Sequence, residues 1–206
     1  MDPRVVILAA GASRRLGEPK ALVDLPRGTP VVRLVRAATE ATGERPLVVT
    51  GAHHAEIDAA LASALGSEAP ECTFNPDWDA GRTGGLQRAA RLARGRDLCV
   101  LPVDHPRVSL GVLRRLLAAW AKAGAPEGGW MAPGFIETPG AEPRPGHPVV
   151  IGRALLAELA TFTPDRPLRD LRAAASPVWM VETDEVVVIE NLDTPEDLAA
   201  IRAADR

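Results

Sequence analysis

Arg14, Arg15 and Lys20 are threaded through a loop, Leu8-Ala-Ala-Gly-Ala-Ser-Arg-Arg-Leu-Gly-Glu-Pro-Lys20, that follows the apolar run Val5–Leu8. A buried strand that ends in a small, glycine-containing loop brings backbone N–H groups together. Converging N–H groups and fixed cations are what a polyphosphate needs. Lys20 is not background composition: the chain has one other lysine, Lys122, while arginine is plentiful. The competing reading is an Ala/Gly turn with surface arginines.

Two common phosphate loops fail on spacing. A P-loop needs its lysine directly after the second glycine. Here Gly17 and Lys20 are separated by Glu18 and Pro19, and Pro19 disfavours helix at Glu18. A dinucleotide fingerprint needs G-x-G-x-x-G opening a helix, which Ala12-Ser-Arg-Arg does not supply. A carboxylate stands at the end of a second apolar run, Val100-Leu-Pro-Val-Asp104-His-Pro106. At the carboxyl end of a buried strand, Asp104 would face the binding crevice. It reads either as a holder of Mg²⁺, which takes few carboxylates and completes its shell with water and phosphate, or as the cap of the next helix.

These residues need a scaffold, and apolar runs alternate with amphipathic stretches. Strands are expected at Val5–Leu8, Pro46–Thr50, Glu71–Phe74 and Asp97–Pro102. Helices are expected at Val31–Ala41, His54–Leu65, Gly84–Ala93 and Leu110–Ala123, the last capped by Ser109. This alternation predicts an α/β fold, a three-layer α/β/α sandwich around a doubly wound, mostly parallel sheet. Ala125–Pro148, rich in Pro and Gly, is expected to be a loop on the acceptor side of the sheet. A helix at Arg153–Leu159, strands at Pro177–Val181 and Glu185–Ile189, and a helix at Thr194–Ala204 with Pro195 in its first turn complete the reading.

The 206 residues suggest a single domain. A hydrophobic fraction of 46% and a charged fraction of 25% are those of an ordinary globular chain. The net charge of −3 argues against a nucleic-acid partner. No leader or long apolar run is present, so neither secretion nor a membrane span is expected. Cys72 and Cys99 lack metal spacing and read as buried thiols of a cytoplasmic protein.

The pattern L-A-A-G-x-S-x-R-x-G-x-P-K resembles the signature loop of the MobA-like and MocA-like NTP transferases. These include the molybdenum-cofactor cytidylyltransferases and guanylyltransferases, and sugar-phosphate nucleotidylyltransferases share the loop. The resemblance extends to Val103-Asp104-His-Pro106 and to Glu190-Asn-Leu-Asp193-Thr-Pro-Glu. It implies a nucleotidyltransferase that moves NMP from an NTP to a small phosphorylated acceptor and releases pyrophosphate. Leu8, Ala9, Ala10, Gly11, Ala12 and Ser13 would cradle the nucleotide. Arg15, Lys20 and Asp104 would be catalytic, and Asp104 and Asp193 would hold Mg²⁺. Asp193 or Thr194, before Pro195, also reads as a helix N-cap.

Asn75-Pro-Asp-Trp-Asp-Ala-Gly81-Arg-Thr-Gly-Gly85 resembles the segment that contacts base and ribose. Gly81 and Gly85 are its nucleotide-binding positions, and many relatives carry serine where this chain has Gly85. Pro145-Gly-His147-Pro148 resembles an acceptor-side element, and His147 and Arg144 would meet the acceptor; His147 reads equally as a turn residue. His53, His54 and His105 suit solvent or turn roles. Ala10 and Pro19-Lys20 point to CTP rather than GTP, and the Gly146-His147-Pro148 element with Pro19-Lys20 points to a molybdopterin-type cofactor as acceptor. A sugar 1-phosphate is the alternative acceptor, and a non-catalytic nucleotide-binding module is the alternative function. The stretch Thr163–Arg172 departs from the G-D-x-G-A-R-like run of the cofactor enzymes. A monomer or weak homodimer is expected.

Overall fold

The computed structural model describes residues 2–205. Eight strands form one sheet: β1 (Arg4–Ala9), β2 (Leu47–Thr50), β3 (Cys72–Phe74), β4 (Leu98–Pro102), β5 (Trp130–Phe135), β6 (Arg144–Pro145), β7 (Val149–Ile151) and β8 (Val178–Thr183). Seven α-helices flank it: α1 (Pro30–Thr42), α2 (His54–Leu65), α3 (Arg82–Leu92), α4 (Leu110–Lys122), α5 (Arg153–Glu158), α6 (Leu168–Ala174) and α7 (Pro195–Ala204). The strand order is β3-β2-β1-β4-β7-β5-β6, with β8 along the other edge of β5. β1 pairs in parallel with β2 and β4, and β5 with β8, while β7 and β6 run antiparallel to their neighbours. The mostly parallel α/β sandwich is therefore as expected.

Alternation along the strands builds the three layers. Val5, Ile7 and Ala9 of β1, and Cys99 and Leu101 of β4, pack with Leu34 of α1, Ile57 and Leu61 of α2 and Leu113 and Leu116 of α4. Val6, Leu98 and Val100 face the other way, onto Leu86 of α3, Leu155 of α5 and Leu171 of α6. Successive side chains of a strand point to opposite faces, so a near-continuous apolar run serves two cores at once. Cys99 is fully buried and Cys72 partly so, and burial pushes both thiols up to about 12.

Ala125–Pro148 is not one loop. Trp130–Ala132 is buried and starts β5, a central strand with neighbours on both edges. Pro and Gly are tolerated here because strand ends and close backbone approaches suit them. The Cα of Gly134 lies against Pro143 and Met180, where a Cβ would crowd both. Glu185–Ile189 is not a strand either; Val186–Val188 forms a 3₁₀ turn. Burial of Val188 in the first core overrides the β preference of three valines. The strand β7 and the helix α6 fall where no element was expected.

Candidate active site

A cleft of about 1100 Å³ opens at the carboxyl ends of β1 and β4. In open α/β sheets, ligands bind at this edge. Leu8, Ala10, Gly11, Ser13, Arg14, Arg15 and Lys20 line it from the loop after β1. Strand alternation turns Ala9 into the first core instead, and Ala12 does not line the cleft. Ser13 adopts a left-handed conformation (φ 54°). Its carbonyl accepts from the N–H groups of Leu16 and Gly17, each at 3.1 Å, and its hydroxyl accepts from Lys20 N–H at 2.9 Å. Ser13 thus folds the loop back on itself and sets the root of the lysine.

A third apolar cluster fixes this loop to the far end of the chain. Leu16, Val23 and Leu25 pack against Leu192, Leu198 and Ile201. Leu192 N–H donates to the Asp104 carbonyl at 2.8 Å, and Val103 N–H donates to Leu8 O at 3.0 Å. Three segments remote in sequence therefore meet at one point. There Lys20 Nζ donates to Asp193 Oδ1 and stands 3.9 Å from Asp104 Oδ2. Arg15 pairs with the other Asp193 oxygen at 2.9 Å. Burial pushes the Asp193 carboxyl up, but Lys20 and Arg15 outweigh it and hold its pKa below the usual carboxylate value.

Neither aspartate is a helix cap. Ser109 caps α4 by accepting from Val112 N–H at 3.1 Å. Thr194 and Asp197 form a reciprocal capping box on α7. The carboxylates of Asp104 and Asp193 are left to converge on a single cation, here the lysine ammonium. Two hard oxygen donors beside the loop after β1 suit Mg²⁺, which takes few carboxylates and completes its shell with water and phosphate oxygens. Among the described residues, no group of three or more His, Cys, Asp and Glu side chains is placed to hold a metal ion by itself.

Gly81 and Gly85 line the cleft from the N-terminal turn of α3. Asn75 and Trp78 line it nearby; Asn75 is buried with an unpartnered side-chain Nδ2, and Trp78 lies against Gly51. Gly81 has φ 145°, and a Cβ there would overlap the Pro164 carbonyl. Thr83 Oγ1 donates to Arg166 O at 2.6 Å. The stretch 164–166 is thereby strapped to α3 and forms a wall of the cleft.

Arg144 and His147 line the opposite side. His147 N–H donates to Val188 O at 2.8 Å. Gly146 lies so close to the Val188 carbonyl that only glycine fits. His105 is not a solvent residue: it is buried, and its ring packs against that of His147, tilted by 54° with centroids 4.4 Å apart. Burial lowers both imidazole pKa values, that of His147 to about 3, with His105 and Arg82 adding to the effect on His147. Sequence spacing holds no signal for this pair, since 41 residues and two strands separate the two rings. Arg82, Arg169 and Arg172 also line the cleft. Arg82 lies in the Asn75–Gly85 segment, and the sequence signal for Arg169 and Arg172 is the departure at Thr163–Arg172.

Comparison with known proteins agrees with this fold. Rv0371C from Mycobacterium tuberculosis, solved as a manganese complex, is 23% identical with a TM-score of 0.75, over 99% of this chain and 100% of that one. Molybdopterin-guanine dinucleotide biosynthesis protein A from Archaeoglobus fulgidus is 20% identical with a TM-score of 0.71, over 98% and 97%. The 2-C-methyl-D-erythritol 4-phosphate cytidylyltransferase from Thermus thermophilus is 21% identical with a TM-score of 0.65, over the whole of both chains. No curated protein matches the chain. Residues 5–178 match the MobA-like NTP transferase domain, and the chain belongs to that nucleotidyltransferase family.

Proposed function

We propose that the chain transfers a nucleoside monophosphate from an NTP, CTP in preference, to a small phosphorylated acceptor, a molybdopterin-type cofactor in preference. The observation that carries this reading is the convergence of the loop after β1, the Asp104 strand end and Asp193 on Lys20 within one cleft. An acceptor phosphate oxygen attacks the α-phosphorus. The new P–O bond forms as the bond to the bridging oxygen breaks, and pyrophosphate leaves with that electron pair. The attacking oxygen is already anionic, so no side chain need remove a proton.

Such a reaction asks the protein for positioning and charge neutralisation. Backbone N–H groups of Gly11 and Ser13 receive the phosphates, Lys20 neutralises them, and Arg15 can grip two oxygens at once. Asp104 and Asp193 would hold Mg²⁺, which when bound supplies Lewis-acid charge at the phosphate oxygens. The thiols and histidines have no covalent part to play. The protein acts in the cytoplasm as a monomer or weak homodimer; no described helix is long and apolar enough to cross a membrane.

The deciding experiment is an acceptor screen that follows pyrophosphate release. CTP, GTP and UTP are tested with Mg²⁺ against molybdenum cofactor and a set of sugar 1-phosphates. Turnover with CTP and the cofactor is expected. Turnover confined to a sugar phosphate would redirect the acceptor, and tight NTP binding without turnover on any acceptor would make the chain a nucleotide-binding module.

A further inference from the structure

Charge is segregated in this molecule. Eight arginine and lysine side chains line the cleft against three aspartates, a local excess of +5 in a chain whose net charge is −3. In the β1 loop Lys20 and Arg15 hold Asp193, while Arg14, like Arg82 of α3, has no ion pair among the described residues. Three further cations of the cleft lie away from that loop. Arg144 of β6, and Arg169 and Arg172 of α6, make no ion pair or side-chain hydrogen bond among the described residues. Arg166, their neighbour, is engaged by Asp170 at 3.1 Å and by the Phe162 ring at 3.8 Å. Unpaired cations crowded into one concavity repel each other, and a bound anion relieves that cost.

The helix α6 holds its arginines in place. Leu168 and Leu171 turn inward, Leu171 fully buried against the second core. Arg169 and Arg172 share the same i, i+3 spacing one step round the helix and lie side by side on the adjacent face. The strap from Thr83 to Arg166 fixes the approach to α6. Below them the floor is apolar: Trp130 of β5, and Val149 and Ile151 of β7. β7 and β5 lie beyond β4 from the β1 loop. This wall is therefore across the sheet from the loop that would receive the triphosphate.

We propose that Arg169 and Arg172, with Arg144 opposite, form a second anion-binding subsite that takes a carboxylate, sulfonate or phosphate of the acceptor other than the group that reacts. The guanidinium fork suits such oxyanions, and two forks on one helix face suit a bidentate hold. The floor adds a flat or apolar acceptor body. The acceptor class is thus an amphiphilic molecule with two separated anionic groups, one for transfer and one for recognition. This rests on the nucleotidyltransferase reading, because that reading assigns the β1 side to the NTP.

The test uses 8-anilinonaphthalene-1-sulfonate, an aromatic body with one sulfonate, and N-phenyl-1-naphthylamine, which lacks the charge. Fluorescence titration of the full chain is expected to give saturable binding of the sulfonate, weakened by salt and at least about tenfold by Arg169→Gln/Arg172→Gln. Arg169→Lys/Arg172→Lys keeps the charge but loses the forks and is expected to bind with an affinity between the other two, and the uncharged dye binds weakly to all three proteins. Saturation with Mg²⁺–CTP leaves the sulfonate bound. Circular dichroism and thermal melting of the variants check the fold. The proposal is overturned if the wild type shows no saturable sulfonate binding, if the glutamine variant keeps its affinity, if the uncharged dye binds as well, or if Mg²⁺–CTP displaces the sulfonate. A parallel titration with Mg²⁺–CTP alone reads the nucleotide site: failure there counts against the transferase reading, while the dye arms still report on the arginines.

Discussion

Lys20 donates from the β1 loop to the carboxylate of Asp193, 173 residues further along the chain, while Asp104 stands 3.9 Å from the same ammonium. The lysine thus occupies the position between two carboxylates that a divalent cation would share. It also holds Asp193 ionised below its usual range. A nucleotide that draws Lys20 onto its phosphates releases both aspartates from the ammonium and leaves Asp193 paired with Arg15 alone. A cation bound beforehand must instead compete with the ammonium. Lys20→Gln removes that competitor. Free Mn²⁺, followed by electron paramagnetic resonance without nucleotide, is expected to bind the variant about tenfold more tightly than wild type. Mg²⁺–CTP is expected to bind it more weakly. Unchanged or weaker Mn²⁺ binding in the variant would show that Lys20 is not the competitor.

In the proposed reaction, catalysis would depend on the same charges. Lys20→Ala and Asp104→Asn should each lower the rate of pyrophosphate release by on the order of 10²–10³, the usual cost of one electrostatic contact to a transition state. Asp104→Asn keeps the size of the side chain, so a loss there reports on charge. Near wild-type turnover in both variants would remove these residues from the machinery.

The parts of the site readable from the sequence are those whose chemistry is local. The glycine-containing loop with Lys20 sits directly after an apolar run, Asp104 ends one, and Thr194-Pro-Glu-Asp197 carries its capping box within four residues. What was hidden depends on tertiary contacts. β7 has three residues between Pro148 and Gly152, too few for periodicity to register. β5 is broken in sequence by Pro133 and Gly134, yet it is central because Trp130 and Met131 pair with β7 while the whole strand pairs with β8. Val186–Val188 has strand composition but forms a turn that receives the His147 N–H. The contact of Leu16 with Leu192 and Leu198, which brings Lys20 to Asp193, spans the whole chain and leaves no local trace.

Acid should weaken the fold through the histidine pair. An unfolded imidazole takes up its proton near pH 6.5, whereas burial, with His105 and Arg82 adding to it, delays His147 to about 3. Between these values the unfolded chain binds the extra proton, so stability falls as pH falls. The slope from this residue is about 1.4 kcal/mol per pH unit below 6.5, fading near pH 3. The buried His105, also lowered, acts in the same direction. Urea unfolding at pH 7.0, 6.0 and 5.0 measures the slope. His147→Gln should flatten it, and an equal slope in that variant would assign the acid sensitivity elsewhere.

Gly81 and Gly85 lie four residues apart at the start of α3, but they should respond in opposite ways to a side chain. Gly81 has φ 145°, and an added Cβ would overlap the Pro164 backbone, next to Asp165 and Arg166 of the cleft lining. Gly81→Ala should cost on the order of 2 kcal/mol and push 164–166 away from α3, weakening Mg²⁺–CTP binding as well. Gly85 is helical, and a Cβ there would sit at ordinary contact, 3.7 Å from Val49 Cγ1 and 3.9 Å from Leu8 Cδ2. Gly85→Ser should therefore be accepted and should stabilise the helix by about 0.5 kcal/mol, since glycine is the poorer helix former. Its hydroxyl would stand in the first turn of α3, next to the cleft, so Mg²⁺–CTP binding should hold or tighten. Urea denaturation and a CTP titration on both variants decide the matter. A stable Gly81→Ala would mean that the α3 strap does not depend on the close approach to Pro164. A destabilised Gly85→Ser would mean that the space beside Val49 and Leu8 is needed for the packing of α3 on the sheet.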